Sequence, residues 1–272
     1  MLIYCKLRKG IDTMLPGIST ACLYPMNTED SLDTLAALRP ACIEVFINAE
    51  SELVPAFLRG LRTRADDAGI KIVSLHPHTS GMEPTIFFSR YQRRYEDGRE
   101  FYRKFYAAAT ILGADSVVFH GDYAGNRLPP QEYFERFGQL VLDAAKEGVQ
   151  LCQENVSRCL SGGIDFIAQM RKSLPDVSYI LDVKQAVRAG EDVFEMASLM
   201  GEKLRCVHMS DHTVTEHCLP PGRGVFNISK FLKAIAKIGF SGGVIVELYG
   251  ENFDGIVELS AAYEHICTMF ST

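Results

Sequence analysis

Six residues that can bind a metal or move a proton stand at the ends of short apolar runs: His76, His120, Glu154, Asp182, His208 and Glu247. Each alone has a plain structural explanation. A strand-end histidine is often a satisfied structural residue, and a lone glutamate is often half of an ion pair. Gathering several of them around one mouth is different, because like charges in a low-dielectric pocket repel and are costly to bury without a cation. A divalent ion removes that cost. Glu154, Asp182, Glu247 and His208 make an oxygen-rich set that suits Mn²⁺ or Mg²⁺, with Zn²⁺ and Co²⁺ as alternatives that ligand type does not separate.

Other residues near these positions carry weaker signals. Asp211, three residues after His208, is placed either to hold that imidazole in its metal-binding tautomer or to cap a loop. Lys184 is placed either to neutralise a substrate oxyanion or to pair with a neighbouring carboxylate. Arg90, Arg93 and Arg94 read better as a solvated helix face than as a grip for a phosphate or carboxylate. Phe87, Phe88, Tyr91 and Tyr95 are candidates for a lid that excludes water, or for a packing surface in a homo-oligomer.

Elements must exist to bring the six together. From about Leu15 onward, short β-branched apolar runs alternate with segments of helical period, the rhythm of repeated βα units. The strand candidates are Gly17–Cys22, Cys42–Ile47, Ile70–His76, Ser116–His120, Val149–Glu154, Tyr179–Asp182, Arg205–Met209 and Val244–Leu248. Between them lie stripes such as Ile228, Phe231, Leu232, Ile235 and Ile238, with Asn227 as the cap. Asn27 or Thr28 can start the first helix, Pro129 and Pro130 the fourth, and Gly69 and Gly239 fall where helices should end.

Eight such units fit a closed parallel barrel better than an open doubly wound sheet, and neither GxGxxG nor a P-loop is present. The fold expected is of the α/β class, a single (β/α)8 TIM barrel over residues 15–272. Its C-terminal mouth would collect all six strand-end residues. Two connections are long enough to be functional: 77 to about 96, and 210 to 226. Residues 1–14 are left as an N-terminal extension, either disordered or a start-site artefact with Met14 as the natural beginning.

Composition narrows the function classes. With 47% hydrophobic and 23% charged residues in 272, the chain is an ordinary globular one. Its net charge of −6 supplies no broad positive field for a phosphate backbone, so no nucleic-acid partner is expected. Lys6, Arg8 and Lys9 interrupt the only candidate leader, and no run of about 18 apolar residues follows, so neither a signal peptide nor a membrane span is expected. Eight scattered cysteines without a CxxC pair read as reduced cytoplasmic thiols, with Cys22, Cys42, Cys152 and Cys206 as small core residues.

Five motifs together resemble the xylose isomerase-like barrels known as sugar phosphate isomerases/epimerases, over about 15–270. They are Glu154-Asn155, Leu181-Asp182-Val183, His208-Met209-Ser210-Asp211, Pro221-Gly222-Arg223-Gly224 and Val246-Glu247. The resemblance implies that Glu154, Asp182, His208 and Glu247 bind one divalent ion, and that His76 and Arg223 contact substrate. His120, Gln185 and Lys184 complete the expected substrate set. Family members often carry a histidine where Gln185 stands here, and an amide neither ligates a second metal well nor exchanges protons. That departure weakens a multi-zinc nuclease reading.

The activity expected is isomerisation or epimerisation of a ketose, ketose phosphate or related polyol-ketone. The ion would polarise a carbonyl, one of Glu154 and Glu247 would take the adjacent proton, and the other would return it. Dehydration of a cyclic inosose shares the first step. The remaining alternatives are an apurinic-endonuclease-like phosphodiesterase and a sugar-binding barrel without turnover.

Overall fold

A computed structural model describes residues 14–126 and 128–270; residues 1–13, nearly all of the expected extension, lie outside the described residues. The chain runs β1 (Leu15–Ser19), α1 (Thr28–Ala36), β2 (Cys42–Ile47), α2 (Pro55–Asp67), β3 (Lys71–Pro77), α3 (Glu83–Phe87), α4 (Gln92–Leu112) and β4 (Ser116–Phe119). It continues through α5 (Pro130–Lys146), β5 (Gln150–Glu154), α6 (Ile164–Ser173), β6 (Ser178–Asp182), α7 (Val183–Ala189), α8 (Val193–Met200), β7 (Leu204–Met209), α9 (Ile228–Lys237), β8 (Gly243–Val246) and α10 (Gly255–Phe270). Each strand pairs in parallel with the next, and β8 closes on β1 with Leu15 opposite Gly243. The result is a single closed (β/α)8 barrel.

Strand edges depart from the sequence pattern in ways that have local causes. β1 stops at Ser19, whose hydroxyl accepts from the Ala21 amide and turns Thr20–Leu23 into a short 3₁₀ helix. β4 and β8 end one and two residues early, leaving His120 and Glu247 just beyond the ladder. The Glu247 amide still donates to the Met209 carbonyl at 3.2 Å, so its side chain keeps the strand's alternation.

Period-two alternation divides each strand between two cores. Inward, Cys42, Val73, Val118, Cys152, Ile180, Cys206 and Ile245 fill the barrel. Gly17 completes that layer, because a Cβ there would run into Cys42 and Ile245. Outward, larger side chains meet the helices. In α9 the stripe Ile228, Phe231, Leu232 and Ile235 is buried, and the Asn227 side chain accepts from the Lys230 amide as its cap. Burial of each such side chain stabilises by about 1.5–3 kcal/mol.

The two long connections differ. The one after β3 folds into α3, and the one after β7 is bridged by Asp211 and Leu219. Among the described residues no helix is long and apolar enough to cross a membrane.

Candidate metal centre

The same alternation that fills the barrel builds the centre. Two residues after the inward Cys152, Ile180, Cys206 and Ile245 come Glu154, Asp182, His208 and Glu247, one layer higher at the mouth. Their ligand atoms all lie within 4.8 Å of one another. His208 Nδ1 is 3.4 Å from Glu154 Oε1, 3.4 Å from Glu247 Oε2 and 4.0 Å from Asp182 Oδ2. It is buried and makes no hydrogen bond.

Each donor is held from behind. Asp182 caps α7, its Oδ1 accepting from the Gln185 amide at 3.0 Å, which leaves Oδ2 toward the cluster. Asn155, fully buried, donates to the Asp182 carbonyl at 3.0 Å and accepts from the Asp182 amide at 2.7 Å. That accounts for the Glu-Asn pair at the end of β5.

His208 is fixed by a residue that sequence reasoning missed. Its Nε2 lies 3.0 Å from Glu44 Oε2, and Glu44 also accepts from Ser74 Oγ at 2.7 Å and Ser19 Oγ at 3.3 Å. With the Nε2 proton given to Glu44, the Nδ1 lone pair is turned to the three carboxylates. The available signal was an acid inside the apolar strand Cys-Ile-Glu-Val-Phe-Ile, two residues after inward Cys42.

Asp211 takes the other of its two expected roles. Its carboxylate accepts from the amides of His212, Gly222, Gly224 and Phe226 at 2.8–3.0 Å, gathering the Pro-Gly-Arg-Gly loop around itself. Gly224 is required because a Cβ would meet that carboxylate and the His212 carbonyl.

Above the cluster opens a cavity of about 540 Å³. His76, His120, Lys184 and Gln185 line it together with Glu154, Asp182 and Glu247. Arg223 does not: its guanidinium pairs with Glu258 at 3.2 Å and is 67% exposed. The expected aromatic lid is also absent from the lining. Phe87 and Phe88 are buried in the outer core, where Phe87 meets Tyr102 at 4.6 Å and Phe88 stacks on Tyr133 at 4.4 Å. Tyr95 is buried beside them and donates to the Arg136 carbonyl, while Tyr91, Arg90, Arg93 and Arg94 are exposed. The physical cause is Glu83 on α3, which accepts from Tyr102 and from the amides of His120 and Gly121, drawing the loop inward.

Tyr24, Phe46, Arg158 and Tyr249 form cavity walls that the sequence did not single out. A hollow of about 740 Å³ on the outer surface between α8 and α9 is larger, but its lining carries three lysines and neither an acid nor a histidine.

A chain of polar contacts leads from the centre into the cavity. Glu154 Oε2 is 2.9 Å from His120 Nε2, which is 3.1 Å from His76 Nε2. His76 Nδ1 sits 3.2 Å from the Pro77 carbonyl, an arrangement that puts the proton on Nδ1 and leaves Nε2 free to accept. Gln185 Oε1 is occupied by the Ser157 amide and hydroxyl. Lys184 Nζ bridges Asp182 Oδ2 and Glu247 Oε2, the latter at 2.7 Å.

The charges are unbalanced. Burial raises Asp182 to about 7, the pull of Lys184 being offset by repulsion from Glu247 and Glu154. Burial also opposes ionisation of Glu247 and Glu154, yet His208 and Lys184 hold Glu247 down at about 2, and His120 and His208 hold Glu154 well below the usual range. His208 is pushed well above its ordinary value by Glu247 and Glu44 against the effect of burial. Such a cluster draws protons onto its imidazole and one carboxyl because it lacks positive charge. A divalent ion fits it on both counts: three oxygen donors with one nitrogen, and an otherwise orphaned Nδ1 aimed at them.

A family profile describing a xylose isomerase-like TIM barrel matches residues 36–269, and the chain belongs to that family. An uncharacterized protein of Mycobacterium tuberculosis is 26% identical over 267 residues, covering 85% of this chain and 88% of that one. Among solved structures, D-psicose 3-epimerase with D-tagatose from Clostridium cellulolyticum H10 is similar at a TM-score of 0.73 and 18% identity, covering 94% of this chain and 99% of that one. The IOLI protein with a binding zinc atom is similar at a TM-score of 0.74 and 18% identity, over 93% of this chain and 95% of that one. At such identities the structural likeness speaks for the fold alone.

Proposed function

We propose that the chain is a divalent-metal-dependent isomerase or epimerase of a ketose, ketose phosphate or related polyol-ketone. One observation carries the reading: three carboxylates and a buried, unpartnered imidazole nitrogen converge on the floor of a cavity that also holds one histidine in contact with Glu154 and a second in contact with the first. Glu154, Asp182, His208 and Glu247 are the residues that hold the ion. When bound, it supplies Lewis-acid polarisation of a substrate carbonyl.

The chain's own residues do the rest. Glu154 and Glu247 enter the cavity from β5 and from just beyond β8, so their carboxylates reach a bound sugar from two sides. One removes the proton beside the carbonyl, giving an enediolate, and the other returns a proton. His120 and His76 orient hydroxyls and continue the proton path from Glu154 into the cavity. Gln185 and Lys184 complete the polar wall, while Phe46 and Tyr249 supply apolar faces for the sugar ring or chain. The likeness in fold to a D-psicose 3-epimerase agrees with this substrate class.

The test is solvent-deuterium incorporation into ketoses by Mn²⁺-loaded protein, read by mass spectrometry. Exchange at the carbon beside the carbonyl is expected, and Glu247→Gln should slow it by at least about 10²-fold without loss of fold. A metal-bound Glu247→Gln protein that exchanges at the wild-type rate would remove Glu247 from the mechanism. Water loss in place of exchange would redirect the reading to a dehydratase.

A further inference from the structure

Lys184 is the buried cation of the cluster, and its partners are unusual. Its Nζ donates to Asp182 Oδ2 and to Glu247 Oε2, and these are the two oxygens that also face His208 Nδ1. The side chain is 3% exposed. The Tyr249 ring covers it, with its centroid 5.2 Å from Nζ, and Arg188 lies 5.1 Å from the same ring. The ammonium is thus buried between the cluster and the Tyr249 ring at the cavity wall. An ion drawn to these two oxygens would share them with Lys184.

We propose that Lys184 is an internal counter-ion that competes with the divalent ion for Asp182 and Glu247, keeping the site assembled without metal and lowering its affinity for metal. The inference rests on the reading that these residues hold an ion. Its physical basis is simple. Two cations sharing carboxylate oxygens in a buried site repel each other with little screening. Removing the ammonium leaves the site one unit more negative, which favours a divalent ion. It also leaves Asp182 and Glu247 facing each other unneutralised when no ion is present. Lys184 thus gives up part of the site's affinity for metal in exchange for a metal-free state that stays folded and ready to load.

The experiment is a calorimetric titration of MnCl₂ into the full-length, EDTA-stripped protein, comparing wild type with Lys184→Met, Lys184→Gln and Lys184→Arg. Met and Gln are expected to bind Mn²⁺ roughly tenfold tighter or more, a change of about 1.4 kcal/mol. Arg, which keeps the charge, is expected to stay within about threefold of wild type. Thermal melts supply the second readout: metal-free Met and Gln variants should melt below wild type, and saturating Mn²⁺ should narrow or reverse the gap. Binding in the Met and Gln variants that is no tighter than in wild type overturns the counter-ion role while leaving the metal site intact. Failure of all four proteins to bind overturns the metal site and this inference together.

Discussion

The two ends of the barrel use the same strands and opposite chemistry. On the inward face of β5, Gln150 opens the strand, Cys152 fills the interior and Glu154 closes it; on β6 the sequence is Ser178, Ile180, Asp182. At the N-terminal end, Gln150 Oε1 accepts from Ser178 Oγ at 2.6 Å and from Arg205 Nε at 2.7 Å, and Lys71 pairs with Asp115 at 2.9 Å with side chains 51% and 70% exposed. Polar groups there find partners and water. At the C-terminal end Glu44, Glu154 and Asp182 are buried and Glu247 is partly so; these acids outnumber their fixed cations and leave His208 Nδ1 without a partner. Satisfied polarity closes a barrel; unsatisfied polarity at the other end marks where a ligand is expected.

Breaking the buried end should therefore cost far more than breaking the exposed one. The largest effect after the removal of one of the cluster's three carboxylates is expected at Glu44. Glu44→Ala strands the His208 Nε2 proton and two serine hydroxyls in a fully buried site, and should destabilise by about 3 kcal/mol while weakening Mn²⁺ binding about 10–100-fold. Denaturant melts and calorimetry read both.

Glu83 gives an intermediate effect with a defined pH window. Burial raises its carboxyl to about 7 against hydrogen bonds from Gly121, Tyr102 and His120. Its folded value lies above its unfolded one, so its stabilising contribution is complete below about pH 4.5 and is lost as pH rises through about 7. Glu83→Gln should abolish that decline, worth about 3 kcal/mol at 1.36 kcal/mol per pH unit. The check is the difference between wild-type and variant unfolding free energies across that range. At the other extreme, Asp115→Ala should change stability by less than about 1 kcal/mol, because the pair is exposed and screened.

How much of this was legible in the sequence follows from the range of each signal. Eight strands could be read because each carries its own short apolar run, and the four candidate ligands could be read because each ends one of them. Glu44 could not be placed, since its meaning depends on a histidine 164 residues away. Phe87 and Phe88 looked like a lid because a loop's hydrophobicity does not say which surface it covers, and nothing in the sequence singles out Glu83, the residue that pulls them inward. Arg223 sits in a loop motif whose glycines serve Asp211, while its own side chain reaches Glu258.

The central claim is that the buried end holds one divalent ion. Elemental mass spectrometry on wild type and a folded Asp182→Asn variant, both equilibrated with Mn²⁺ and desalted, tests it directly. About one ion per wild-type chain is expected, with loss of that ion in the variant, because a carboxylate oxygen of Asp182 lies within 4.8 Å of the other three donors. Wild-type protein that retains no ion, repeated with Mg²⁺, Zn²⁺ and Co²⁺, would contradict it.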